Sequence, residues 1–144
     1  MKYLALIFIC ISLTAKAQKS EIFVKDSVAV RGYDVVAYFT QSRPEKGSKE
    51  FSYEWKTGKW YFANKAHLDA FKANPEKYAP EYGGYCAYGT ADGHKAPTDP
   101  EAWTIFDGKL YLNYNQKVMG IWRKGQADFI EKANKNWPLL KDKE

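Results

Sequence analysis

Side chains able to do chemistry are few in this chain, and most of them fall in one stretch. Tyr78-Ala79-Pro80-Glu81-Tyr82-Gly83-Gly84-Tyr85-Cys86-Ala87-Tyr88-Gly89 holds one of the two cysteines, and Gly93-His94 just beyond holds one of the two histidines. A thiolate is a nucleophile and a soft metal ligand, and an imidazole serves as ligand or base. If residues 85–88 open a helical turn, Cys86 lies near its N-terminus, where free amides and the helix dipole would lower the thiol pKa. Tyr82, Tyr85 and Tyr88 could instead enclose the sulfur in apolar surface and raise it, or line a pocket. A lone cysteine is also often a small buried hydrophobe.

Three chemistries follow from this set. In the first, a metal is held by the Cys86 thiolate and the His94 or His67 imidazole, with Asp34, Asp92 or Asp99 as an oxygen ligand. One cysteine and two histidines fall short of a tetrahedral zinc site of nitrogen and sulfur ligands, so a soft ion such as copper is the favoured guest, with zinc or nickel as alternatives. In the second, Cys86 cycles through sulfenic acid or a mixed disulfide with a partner. In the third, the aromatics (five Trp, eleven Tyr, eight Phe) line a groove for a small ligand, without catalysis. Structural roles compete with each: Asp34 is placed to cap a helical turn at 35–39, and His67, one turn before Phe71, borders the core. No Ser/His/Asp set, phosphate loop or paired-carboxylate motif stands out, so the residues favour a non-enzymatic role.

The compartment is read from the N-terminus. Met1-Lys2-Tyr3, an apolar run over 4–13 and Ala15-Lys16-Ala17 have the pattern of a secretory signal peptide over residues 1–17. The apolar run is too short for a stable membrane span, so an exported protein, periplasmic or secreted, is expected. Cleavage would remove Cys10 and leave Cys86 able to form only an intermolecular disulfide. The net charge of +5 is mild and its lysines are scattered along the chain, which predicts a solvated surface rather than a nucleic-acid partner.

The elements that must position these residues are legible from periodicity. Residues 18–26 read as a loosely ordered lead-in and 27–30 as a short strand ended by Arg31-Gly32. Phe51, Tyr53 and Trp55 alternate as a half-buried strand, and Trp60-Tyr61-Phe62 returns after turn chemistry at 56–59. Asn64 can cap a helix over 65–73, stopped by Pro75. Asp107-Gly108 between two β-rich runs, 103–106 and 109–112, predicts a tight hairpin. Asn115 can cap a helix that Gly125 stops, and a last helix over 126–136 is expected to end at Pro138. The sum is a small single α+β domain over residues 18–144, with antiparallel hairpins packed against about three helices.

Several of these segments also carry a family resemblance. Gly32-Tyr33-Asp34-Val35-Val36-Ala37-Tyr38-Phe39, Phe71-Lys72-Ala73-Asn74-Pro75-Glu76-Lys77-Tyr78-Ala79-Pro80, Gly83-Gly84-Tyr85-Cys86-Ala87, Asp99-Pro100-Glu101-Ala102-Trp103 and Asp107-Gly108-Lys109-Leu110-Tyr111-Leu112-Asn113 resemble the exported YHS-domain proteins of bacteria. The resemblance spans residues 30–137. The wider superfamily resembles TRASH-type modules, in which cysteines beside an aromatic hairpin hold a metal, and this implies a metal-linked role. The comparable positions here, 62–67, contain no cysteine. Relatives that carry selenocysteine at the position of Cys86 are implied as well, and a selenol there would favour redox chemistry.

Overall fold

The computed structural model describes residues 21–143. The expected signal peptide lies outside them. Strands β1 (Val24–Lys25) and β2 (Val28–Ala29) form a minimal hairpin about Asp26 and Ser27, both at positive φ. Within the expected lead-in, Ile22 is already part of the core, and the Phe23 amide donates to the Gly83 carbonyl at 2.8 Å. The backbone then passes through Val30, Arg31 and Gly32 with φ of 49°, 50° and 83°. Asp34 caps helix α1 (Val35–Thr40), as its position before the apolar run predicts.

Strands β3 (Ser48–Trp55) and β4 (Gly58–Phe62) make the expected antiparallel hairpin. The four strands lie in the order β1-β2-β4-β3. Because β2 runs parallel to β4, the sheet is mixed, where the sequence pattern predicted antiparallel pairing alone. The intervening α1 and β3 supply the long connection that a parallel neighbour needs. Helix α2 (Lys65–Ala73) is capped by Asn64, whose side chain accepts from the His67 amide, and Pro75 opens the short α3 (Pro75–Tyr78). A turn over Glu81–Gly84 leads to α4 (Ala87–Ala91), with Cys86 as its N-cap. Strands β5 (Asp99–Phe106) and β6 (Lys109–Asn113) form the second, two-stranded sheet, and Asp107 and Gly108 both take the positive φ of a primed turn. Helices α5 (Gln116–Arg123), capped by Asn115, and α6 (Gln126–Leu140) complete the described chain. This is an α+β domain, with α2, α5 and α6 as its three helices of eight residues or more.

Helix α6 continues through Pro138 instead of ending there. Proline removes one helical hydrogen bond, yet Trp137 packs at 6.1 Å from Tyr82 and 6.2 Å from Tyr85. The ammonium of Lys95 meanwhile donates to the Lys141 and Lys143 carbonyls beyond it. Tertiary contacts therefore hold the final turn against the local penalty.

Strand β6 is buried on both faces because two apolar clusters meet across it. Leu110 and Leu112 enter the first, with Val35, Tyr38, Trp60, Phe62 and Phe71, while Tyr111 enters the second with Tyr82, Trp122 and Ala133. Alternation with a period of two sends neighbouring side chains to opposite faces, so one strand serves both. No helix among the described residues is long and apolar enough to cross a membrane.

The contact between the N-terminal segment and the Gly83 turn is directly testable. A Cβ on Gly83, at φ +63°, would collide with the Glu21 carbonyl. Gly83→Ala should lower stability by about 2 kcal/mol or more, read as a fall in the urea midpoint. An unchanged midpoint would mean that residues 21–23 do not pack on this turn in solution.

Candidate functional site

Asp34 is fully buried and its carboxylate meets four donors. Oδ1 accepts from the amides of Val36 (2.9 Å) and Ala37 (3.2 Å), and Oδ2 from the Ala63 amide (2.8 Å) and His67 Nδ1 (2.6 Å). The sequence suggested a cap at Asp34 and a core-edge place for His67, and the structure joins the two. A carboxylate can only accept, so Nδ1 carries the proton and Nε2 is left facing Thr40 Oγ1 at 3.4 Å. Aspartate, histidine and hydroxyl thus fall in the order of a catalytic relay. Thr40 Oγ1, however, donates to the Val36 carbonyl at 3.2 Å, and neither Thr40 nor His67 lines the grooves described below. A nucleophile needs a place for substrate, and none of those grooves offers one here.

Cys86 is 2 % exposed and its thiol is held between two partners. Sγ accepts from the Gly89 amide at 3.4 Å and its S–H donates to Asn113 Oδ1 at 3.5 Å. The same Oδ1 accepts from the Tyr88 amide at 3.1 Å, which fixes the orientation of the Asn113 side chain and leaves Nδ2 without a hydrogen-bond partner. Burial pushes the thiol above its ordinary pKa, and the amides of Gly89, Tyr114 and Tyr88 pull it down without offsetting that cost. Of the two outcomes that the sequence left open for this sulfur, desolvation wins over the helix N-terminus. Tyr82 and Tyr85 are buried beside Trp137, and Tyr88 is half-buried on Phe129. Burial likewise raises the Tyr82 hydroxyl pKa, which suits its donation to Asn134 Oδ1 at 3.0 Å.

The remaining candidate ligands are dispersed. The His94 side chain is exposed, with Nδ1 3.5 Å from Asp92 Oδ2. Asp99 accepts from the Glu101 amide. Asp34 and His67 are brought together, whereas the hydrogen-bond partners of Cys86 include neither of them, nor His94. Among the described residues no three His, Cys, Asp or Glu side chains converge on one point.

What the sequence did not single out is a surface groove of about 540 Å³ beside the left-handed turn. Its lining includes Lys25, Arg31, Gly32, Lys46, Lys49 and Tyr61. Arg31 also lines a second cavity of about 400 Å³, with Thr98, Asp99 and Tyr114. Its Nε donates to the Thr98 carbonyl at 2.9 Å, which anchors the guanidinium between the two. The cations come from separate segments of chain, so no basic run marked them. The one local sign is Val30-Arg31-Gly32 itself, where the sequence pattern predicts the end of a short strand.

No known protein family, curated protein or solved structure matches the chain.

Two results test this site description. Asp34→Ala strips four donors, two of them buried and two half-buried, of their acceptor and should cost about 3–5 kcal/mol in denaturant unfolding, far beyond a surface substitution. Cys86 should react with iodoacetamide at pH 8 at least about tenfold more slowly in the folded protein than in the urea-unfolded chain. A raised thiol pKa adds stability that is complete below the ordinary thiol value and lost as pH rises through the folded one. Protection should therefore weaken in alkali. Equal rates at pH 8 would show an open, reactive sulfur.

Proposed function

We propose that the chain is an exported, non-catalytic ligand-binding domain of the YHS type, with its ligand seated in the groove beside the Val30–Gly32 turn. The motifs spread over residues 30–137 support the family, and the signal-like N-terminus supports export. One observation carries the binding site. Val30, a β-branched residue, sits at φ 49° and is followed by two further residues at positive φ. Such a conformation costs on the order of 1–3 kcal/mol for each non-glycine residue, and it persists where surrounding structure enforces it, often at ligand sites. Here it carries Arg31 to the boundary of two cavities.

Isotope-labelled protein screened by NMR against small metabolites should show amide shifts concentrated at residues 25–32, 46–49 and 61. Binders whose shifts all fall elsewhere would remove the groove from consideration.

Metal binding is a second reading, favoured by the Asp34–His67 pair. A histidine that ligates a metal through Nε2 commonly gives its Nδ1 proton to a carboxylate, and His67 is oriented in this way. A copper ion would then sit on His67 Nε2 with a ligand from outside the chain. Titration with Cu(I), and with Zn(II) and Ni(II) for comparison, should show uptake that His67→Ala abolishes and Cys86→Ser leaves intact. Uptake lost in Cys86→Ser would return the thiolate to the centre of the site, and no uptake in the unaltered protein would end the metal reading.

A further inference from the structure

We infer that the groove takes an elongated organic anion bearing several phosphate or sulfate groups, with its charges at the lysine-rich end and its body along Tyr61. This deepens the groove-binding reading above and rests on it.

Lys25 comes from β1, Arg31 from the left-handed turn, Lys46 from the loop before β3 and Lys49 from β3 itself, and all four line one depression. The carboxylate in that lining is Asp26. Three lysines elsewhere on the surface pair with acids, in Lys56–Glu21, Lys65–Asp69 and Lys135–Glu131. Lys25, Lys46 and Lys49 have no ion-pair partner among the described residues. Gathering like charges at one concave site is unfavourable in the free protein and raises the local concentration of anions, which is the electrostatic form of a binding site. Arg31 is pre-organised for this by its bond to the Thr98 carbonyl, so less side-chain entropy is lost on binding.

The shape of the site favours an extended ligand over a single small ion. A further groove of about 330 Å³ shares Lys49 and Tyr61 with the first and adds Tyr53 and Lys59. The two grooves adjoin at Lys49 of β3 and Tyr61 of β4. Lys59 faces Glu54 across the hairpin, so charge at this far end is balanced and the net positive potential belongs to the first groove. The half-buried Tyr61 offers apolar contact to the body of the ligand midway along.

Sucrose octasulfate and unsulfated sucrose provide matched probes for calorimetry and NMR on the full chain. The sulfated sugar should shift the amides of residues 25–32, 46–49 and 61, with affinity that falls as salt rises, and sucrose should shift none. The Lys46→Gln/Lys49→Gln double variant, with an unchanged melting temperature, should bind the sulfated sugar at least about tenfold more weakly. Undiminished binding in that variant would place the anion elsewhere and overturn the inference. Shifts at the groove from uncharged compounds but not from the sulfated sugar would overturn the anionic class while leaving the groove as a binding site. No shift at the groove from any compound would overturn both.

Discussion

One buried carboxylate organises the first half of this domain. Asp34 satisfies amides at the start of α1, the Ala63 amide just past the end of β4 and the imidazole of α2, so α1 shares one acceptor with the β4–α2 junction that lies 29 to 33 residues further along. A charge placed away from water is tolerated only when its oxygens are filled by donors, and here they are filled twice over. That requirement fixes the approach of α1 and α2 to the sheet. The aromatic cluster of Trp60, Phe62 and Phe71 then packs between them, with ring centroids 5.0–5.1 Å apart.

The second half is organised by a strand with two buried faces. Because β6 sends Leu110 and Leu112 one way and Tyr111 the other, the two clusters cannot shift independently. Asn113 at its end holds Cys86 and the first turn of α4. Tyr38 adds a polar tie, its hydroxyl donating to the Pro100 carbonyl at 2.8 Å. Close packing holds the described residues together with Cys86 as a free thiol, and the same packing removes that thiol from water and raises its pKa. A sulfur set so deeply in the frame is poorly suited to exchange with a partner. On the surface, by contrast, a strained turn stands beside a groove lined by four cations and one carboxylate.

Much of this architecture is written in short-range signals. Asp34, Asn64 and Asn115 cap helices because a short acceptor side chain satisfies amides two or three residues ahead, and Asp107-Gly108 turns the β5–β6 hairpin because both positions accept positive φ. Alternation at Phe51, Tyr53 and Trp55 marks a half-buried strand in the same local way. Pro138 shows the limit of such signals, since the sequence pattern stops α6 there while Trp137 and Lys95 hold the next turn in place.

Sequence alone determined the β3–β4 and β5–β6 hairpins, the caps of α1, α2 and α5, and the α+β class, because those depend on hydrogen bonds and periodicities within a few residues. It left open whether Cys86 sits in a polar helix terminus or an apolar enclosure, and it presented the lysines as scattered. Tertiary structure decided both. Desolvation and charge proximity depend on which distant segments come to lie within a few ångströms, and that is set by how the hairpins and helices pack, not by their order along the chain.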